Sequence, residues 1–312
     1  MSGSFCGCPA LMNFEVATDA WLRKLILAAR TRAGEVFVEV GLGGGDWSFV
    51  WASQAGLRCL VVEPAPTEKL RDLCGKCGVE MVVAAVCERE GTILLYEGEL
   101  NGAQVGDTNS TRPDWWGVGE RSRPVSATTL AVLARSWNGV PFIALKVDVE
   151  GAEASVLSGL NEFAPGQLPK LVAFEYGGGG SLKDQRGGWA DEFVSSTMSC
   201  LNLLKDLGYK GGMILERSSW SPRLFKMAGV GNSARTMFDE ADEVGNIIVW
   251  KDPMEDRLKP GWFLQHHFVQ TGCAVSHGRQ HCHFWLNHWG IRGLGWLRKR
   301  CGLRPGASPG GQ

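Results

Sequence analysis

Short apolar runs separated by longer amphipathic stretches extend from about Glu35 to Trp250. The apolar runs are mostly continuous rather than alternating, which is typical of strands that are buried on both faces. Stretches with helical periodicity lie between them, and this alternation favours parallel βαβ units. The predicted strands are residues 36–40, 58–63, 80–86, 92–96, 142–148, 171–176, 213–216 and 246–250.

The order of these elements predicts the fold class. Parallel strands joined by right-handed crossovers produce a doubly wound, Rossmann-like α/β sheet with helices on both faces. The run at 92–96 is close enough to the preceding strand to form an extra strand or hairpin, and the last two runs are predicted to close the sheet, one of them antiparallel. Ligands bind such sheets at the carboxyl ends of the strands.

Composition changes along the chain and predicts three parts. Residues 1–34 form a leader of small residues with one amphipathic helical pattern at 20–27. Residues 35–252 contain the predicted α/β domain. Residues 253–312 are rich in His, Trp, Gly and basic side chains, which is typical of an irregular or disordered tail.

Charge and hydropathy exclude several classes of function. A formal net charge of −1 argues against a polyanion-binding protein. No stretch approaches the roughly 20 apolar residues of a membrane span, and the start shows no secretory signal pattern. The ten cysteines are scattered, unlike a compact disulfide framework. We therefore expect a cytoplasmic protein with no nucleic-acid partner.

A glycine-rich turn follows the first predicted strand. Its pattern is E-x-G-x-G-x-G, formed by Glu39, Gly41, Gly43 and Gly45. Glycines there allow a cofactor to approach the backbone and allow positive φ. The dinucleotide fingerprint needs a third glycine where this chain has Asp46.

A second acid ends the next predicted strand. Glu63 follows the apolar run 59–62 and precedes Pro64. A carboxylate at this place can accept both hydroxyls of a ribose. Because NAD and S-adenosylmethionine both contain adenosine, Glu63 supports an adenosine ligand without selecting between them.

The strand predicted at 142–148 runs into the sequence KVDVEGAE at 146–153, and VLSG follows at 156–159. This run resembles the hallmark of the FkbM family of methyltransferases. The glycine turn, the Val-Glu-Pro of 62–64, the run 83–86 and the strand end Phe174-Glu175 follow in the family's order. The resemblance covers about residues 35–252.

The resemblance implies S-adenosylmethionine as the cofactor and methylation of a hydroxyl on a small molecule or glycan. The cofactor-binding residues it implies are Glu39, Gly41, Gly43, Gly45, Glu63, Ala85 and Val86. Three positions depart from the family pattern, because Glu39 stands where aspartate is commoner and Leu42 and Gly43 replace an alanine and an asparagine.

A hydroxyl acceptor needs a base, and all six histidines lie at 266–288, outside the predicted domain. The candidate catalytic residues are therefore Asp148, Glu150, Glu175 and Lys146. Alternate positions of an extended strand share one face, so Lys146, Asp148 and Glu150 point the same way. A purely structural Lys–Asp or Lys–Glu ion pair would explain these charges equally well.

Acceptor choice is predicted to reside in two segments after strand ends. They are 106–124, with Arg112, Trp115, Trp116 and Arg121, and 177–189. Paired tryptophans with arginines suit planar or sugar faces, although tryptophans that only pack on the domain fit as well.

Cysteine and histidine patterns raise two further hypotheses. Cys273, His277, His281, Cys282 and His283 are ligand types for zinc, yet their spacing matches no standard site, so no metal is predicted. Cys74 and Cys77 form a C-x-x-C pair that we expect on a helix without redox activity. The basic run 298–300 is expected to be solvated.

Two other functional classes remain open from the sequence. One is a non-catalytic adenosyl-binding protein on the same fold. The other is an NAD-dependent oxidoreductase, which the incomplete dinucleotide fingerprint disfavours.

Overall fold

Two β-sheets and six helices make up the described part of this computed structural model, which comprises residues 14–29, 34–43, 48–100, 102–115, 117–177, 191–216, 222–231, 237–238 and 244–254. The strands are β1 Val36–Val40, β2 Arg58–Val62, β3 Glu80–Val82, β4 Ala85–Val86, β5 Gly91–Leu100, β6 Ala103–Gln104, β7 Val118–Thr128, β8 Phe142–Val147, β9 Leu171–Gly177, β10 Gly211–Glu216, β11 Arg223–Lys226 and β12 Val244–Trp250. The helices are α1 Phe14–Ala28, α2 Ser48–Gln54, α3 Glu68–Cys77, α4 Leu130–Ser136, α5 Glu153–Ser158 and α6 Asp191–Asp206, with short 3-10 turns at Gly106–Thr108, Gly159–Glu162 and Met227–Gly229.

The larger sheet has the strand order β11-β10-β12-β9-β8-β1-β2-β3. Strands β9, β8, β1, β2 and β3 are parallel neighbours, and β12 lies antiparallel between β9 and β10. The predicted doubly wound sheet with an antiparallel closing strand is therefore confirmed. The order reverses between β1 and β8, and a crevice opens at such a switch point beyond the carboxyl ends of the strands.

The apolar runs form the centre of the core. Every residue of β1 and β8 is buried, including Glu39 and Lys146. Helix α1 packs against β9, β10 and β12. The helical pattern predicted at 20–27 is thus the second half of a longer helix that covers the sheet.

Side-chain caps and glycine fix where helices begin and end. The Thr67 hydroxyl accepts the Leu70 N–H at 3.2 Å at the start of α3, and Gly78 ends that helix in the left-handed conformation with φ of 64°. Thr129 caps α4 in the same way through the Val132 N–H at 3.2 Å. A threonine cap satisfies an N–H group that the first turn of a helix leaves unpaired.

The smaller sheet, of order β4-β7-β5-β6, differs from the prediction. The run predicted as one strand at 80–86 divides into β3, which joins the larger sheet, and β4, which pairs with β7. The strand predicted at 92–96 is longer and pairs with β7 along most of its length. Strand β7 was not predicted because most of its side chains are exposed and leave no apolar pattern in the sequence. It is defined instead by its antiparallel ladder with β5.

Among the described residues, no helix combines the length and the apolar character that crossing a membrane requires.

Candidate functional site

The glycine turn after β1 lies where three strands end. Gly41 has a φ of 76°, and its N–H donates to the Val62 carbonyl of β2 at 3.0 Å. A Cβ added to Gly41 would lie 1.7 Å from the carbonyl oxygen of Asp148, just past the end of β8. Glycine is therefore required at position 41 because the backbone of Asp148 approaches it so closely. Gly43 also has a positive φ, of 41°.

Glu63 connects the end of β2 to this turn. Its carboxylate accepts the Leu42 N–H and the Ala65 N–H, each at 2.9 Å. Burial raises the pKa of Glu63, and the N–H groups of Leu42, Ala65 and Gly43 oppose that rise. The acid predicted to bind a ribose thus also fixes the shape of the glycine turn.

Glu39 and Lys146 form a buried ion pair between β1 and β8. The two residues are register partners, and the Lys146 Nζ lies 3.3 Å from the Glu39 Oε1. The same carboxylate accepts the N–H groups of Ser48 at 3.2 Å and Phe49 at 2.9 Å at the start of α2. Carboxylates are favourable at a helix N-terminus, and pairing offsets the cost of burying both charges. The structural ion pair left open by the sequence is therefore present, with Glu39 as the partner.

Three carboxylates meet at the carboxyl ends of β8 and β9. One oxygen from each of Asp148, Glu150 and Glu175 lies within 4.8 Å of the others, and all three residues are partly exposed. Three candidate catalytic acids are thus brought together, while Lys146 lies deeper in the sheet. Oxygen ligands at this spacing can accept a proton, bind hydroxyl groups or bind a hard cation.

The turn after β8 has an unusual backbone. Glu150 has a φ of 56° and Gly151 a φ of 93°. The Glu153 Oε1 accepts the N–H groups of Val149 and Gly151, both at 3.2 Å, and burial raises the pKa of Glu153. Glu153 therefore organises the turn that carries the catalytic candidates rather than lying among them.

A small cavity adjoins the carboxylate cluster. It has a volume of about 10 Å³, which is room for about one water molecule. Trp115, Glu175, Tyr176, Ser196 and Thr197 are among the residues that line it. Aromatic and hydroxyl side chains thus lie directly beside one of the acids. Ser196 and Thr197 come from α6, and the sequence motifs did not single them out.

The other predicted site residues lie in different surroundings. Ala85 and Val86 are buried in β4, where Val86 belongs to the hydrophobic core. Arg112 pairs with Asp114, which lowers the pKa of that carboxyl, and Arg121 lies on β7 with its side chain largely exposed. The part of the predicted acceptor segment from 118 onward is therefore strand rather than loop.

Several predictions fall outside the described residues. They concern Gly45, Trp116, residues 178–189 and the tail with its cysteines and histidines. Cys74 and Cys77 are described, and both lie on α3 as predicted, without a disulfide. Burial raises the pKa of Cys74 to about 11, which disfavours a reactive thiolate.

Asp19 of α1 also contacts this region, which the sequence patterns did not reveal. The Ser48 hydroxyl donates to its carboxylate at the start of α2. Burial raises the pKa of Asp19 from 3.8 to about 6, while the Ser48 hydroxyl and the Lys146 charge oppose the rise. The N-terminal helix is thereby linked to the Glu39–Lys146 pair.

Replacing Asp19 with asparagine should change how stability depends on pH. Between pH 3.8 and about 6 the folded chain keeps a proton that the unfolded chain has lost, so Asp19 reduces stability as pH rises through this window. We expect the free energy of unfolding of Asp19→Asn, relative to wild type, to rise by about 1–2 kcal/mol between pH 4 and pH 7.5.

Urea unfolding at both pH values measures this difference. Asp72→Asn, at an exposed position of α3, provides the matched control and should show no such change. If the difference in the free energy of unfolding between Asp19→Asn and wild type is the same at both pH values, Asp19 does not titrate in this window.

Comparison with known families gives one match. The family model described as the methyltransferase FkbM domain matches residues 35–210, more than half of the 312-residue chain. No curated protein matches the chain in sequence.

Similar solved structures include three methyltransferases. A TehB-like SAM-dependent methyltransferase from Corynebacterium glutamicum is 14% identical, with 77% of this chain and 98% of that chain covered and a TM-score of 0.33. Magnesium protoporphyrin IX methyltransferase from Synechocystis, solved with bound SAH, is 9% identical, with coverages of 80% and 90% and a TM-score of 0.37. Geranyl diphosphate methyltransferase, in complex with GPP and sinefungin, is 13% identical, with coverages of 78% and 82% and a TM-score of 0.38.

Proposed function

This chain belongs to the FkbM methyltransferase family, and from that premise we propose that it transfers a methyl group from S-adenosylmethionine to a hydroxyl oxygen of a small molecule or sugar. The observation that carries the proposal is the cluster of Asp148, Glu150 and Glu175 at the carboxyl ends of β8 and β9. It lies next to the glycine turn of β1, at the switch point of the sheet.

The residues at the switch point have the chemistry that S-adenosylmethionine requires. Glu63 stands at the end of β2, where a carboxylate can accept ribose hydroxyls, and the turn at Gly41–Gly43 brings backbone close to it. The acids of the cluster favour a cationic sulfonium nearby. We assign cofactor binding to Glu63 and to the turn Gly41, Gly43 and Gly45, with Ala85 and Val86 contributing from β4.

Glu39 acts less directly in this proposal. Its carboxylate is bound to Lys146 and to the first N–H groups of α2. It therefore fixes the two ends of the glycine turn, and Lys146 neutralises its buried charge. This gives both residues a positioning role instead of a contact with the reacting atoms.

Proton removal is the chemical task of the cluster. When bound, S-adenosylmethionine supplies an electrophilic methyl on a sulfonium, and transfer forms one carbon–oxygen bond as one carbon–sulfur bond breaks. In this proposal Asp148 accepts the proton that the acceptor hydroxyl loses, and Glu150 and Glu175 orient that hydroxyl as hydrogen-bond acceptors. A positioned base of this kind contributes about 10²–10⁴-fold in rate.

Charge at the cleft also restricts the acceptor. Three carboxylates within 4.8 Å disfavour a carboxylate or phosphate beside them. Thr197 lines the adjoining cavity and offers a hydroxyl there. We therefore expect a neutral, hydroxyl-bearing acceptor such as a sugar or polyol.

A methyl-transfer screen tests the proposed reaction. The full chain is incubated with isotopically labelled S-adenosylmethionine and a pool of hydroxylated metabolites, and the products are analysed by mass. The proposal predicts a labelled O-methyl product from a neutral acceptor. A labelled N-methyl product would contradict the assignment of oxygen, and cofactor binding without transfer to any acceptor would favour a non-catalytic adenosyl-binding protein.

A further inference from the structure

The backbone of Glu150 needs outside support. Its φ of 56° places it in the left-handed region, which non-glycine residues rarely occupy. Such conformations persist only where surrounding contacts hold them. Glu150 is also one of the three acids of the cluster, so whatever holds its backbone also aims its carboxylate.

Two contacts that hold Glu150 come from the segment before β7. The Ser110 hydroxyl donates to the Glu150 carbonyl at 2.7 Å, and the Trp115 indole N–H donates to the Glu150 Oε2 at 2.8 Å. One bond fixes the backbone and the other fixes the carboxylate. Both donors belong to the connection between β6 and β7 of the smaller sheet.

The Trp115 ring is itself held in one place. It is 3% exposed, and a Cβ added to Gly151 would lie 2.3 Å from its Cε3 atom. Gly151 therefore leaves the space that the ring fills. Arg112 adds a bond from its Nη1 to the Gly151 carbonyl at 3.4 Å. Three side chains of the segment at 110–115, those of Ser110, Arg112 and Trp115, thus contact two consecutive residues of the turn after β8.

We infer that Trp115 is a positioning residue of the active site, which acts through Glu150 by holding its carboxylate in the cluster with Asp148 and Glu175. The connection between β6 and β7 of the smaller sheet thereby holds one of the acids that lie at the carboxyl ends of β8 and β9 in the larger sheet. The inference rests on the proposed function for its kinetic consequence, while the effect on the turn itself is measurable without any substrate.

Trp115→Phe tests this role, because it removes the indole N–H and keeps an aromatic ring. We expect kcat for methyl transfer to fall about 10-fold, which corresponds to losing one hydrogen bond to a charged group. The dissociation constant of S-adenosylmethionine should stay within a factor of about two, because the glycine turn and Glu63 are unchanged. In a Glu150→Ala background, which has no side-chain oxygen to accept the indole N–H, the same substitution should lower kcat by less than about two-fold, since its effect passes through that carboxylate.

Hydrogen exchange of residues 148–153, followed by mass spectrometry in the absence of ligand, provides a second measurement. Trp115→Phe should speed exchange in this turn about 10-fold, and this result stands even if no methyl transfer is found. Trp137→Phe is the matched control, because Trp137 donates its indole N–H to Glu80 at 3.2 Å and Glu80 is not one of the acids of the cluster. It should leave both kcat and exchange at 148–153 unchanged.

Ser110→Ala gives a second test should Trp115→Phe fail to fold. It removes the bond to the Glu150 carbonyl and the bond that the Ser110 hydroxyl accepts from the Arg112 N–H at 3.0 Å, and it should also speed exchange at 148–153. Equal losses of kcat in the wild-type and Glu150→Ala backgrounds would overturn the inference. So would exchange at 148–153 that is unchanged in both Trp115→Phe and Ser110→Ala.

Discussion

Asp148→Asn is expected to lower kcat for methyl transfer by about 10²–10⁴-fold while the dissociation constant of S-adenosylmethionine stays nearly unchanged. Asparagine has almost the same size as aspartate but cannot take a proton from the acceptor hydroxyl. Asp148 is the first candidate for the base because it directly follows β8, beside the glycine turn. Calorimetry of cofactor binding together with single-turnover kinetics separates the two effects.

A control for this substitution is available on the surface. Asp206 at the end of α6 is exposed, and Asp206→Asn makes the same chemical change away from the cluster. It should leave kcat as in the wild type. Full turnover by Asp148→Asn with unchanged cofactor affinity would remove Asp148 from the role of base and leave Glu150 or Glu175 as the candidates.

Gly41→Ala is expected to have the largest effect on stability. Its φ of 76° disfavours any side chain, and the new Cβ would lie 1.7 Å from the Asp148 carbonyl oxygen. The ends of β1 and β8 would have to separate, which breaks the bond from the Asp148 N–H to the Val40 carbonyl at 2.9 Å. We expect a loss of about 4 kcal/mol or more in the free energy of unfolding, measured in urea.

Gly56→Ala separates the cost of the left-handed backbone conformation from the cost of steric overlap. Gly56 has a φ of 82°, close to that of Gly41, but a Cβ there meets nothing within 4 Å. Its cost should be about 1–2 kcal/mol, the cost of the left-handed conformation alone. Similar losses for the two variants would show that β1 and β8 do not approach each other as closely as the structure places them.

Much of the larger sheet could be predicted from the sequence, because burial on both faces leaves a direct pattern. The runs at 36–40, 58–63, 142–148 and 171–176 are apolar for that reason, and the structure confirms each as a strand. The smaller sheet could not be predicted in the same way. Strand β7 is charged and largely exposed, and its ladder with β5 depends on pairing that no local pattern records.

The candidate site was predictable where its residues lie in one run or end adjacent strands. The sequence placed Asp148, Glu150 and Glu175 at strand ends, and the sheet brings them together. The sequence left open whether Lys146 is catalytic or belongs to a structural ion pair. Only the register of β1 against β8 shows that Lys146 lies opposite Glu39.

Contacts between distant segments could not be predicted from the sequence. Ser110 and Trp115 bond to Glu150 across intervals of 40 and 35 residues. Asp19 bonds to Ser48 across 29 residues. Such pairs depend on how α1 and the smaller sheet pack against the larger sheet, and hydrophobic periodicity within one segment carries no information on that packing.

Calorimetric titration of the full chain with S-adenosylmethionine, its demethylated product and NAD tests the central claim most directly. We predict saturable heat with the first two ligands and none with NAD, because the proposed function has Glu63 accept the ribose hydroxyls of both adenosyl ligands, while the three acids of the cluster disfavour the pyrophosphate of NAD. Binding of NAD in their place, or a folded protein that gives no heat with either adenosyl ligand at millimolar concentration, would contradict the account.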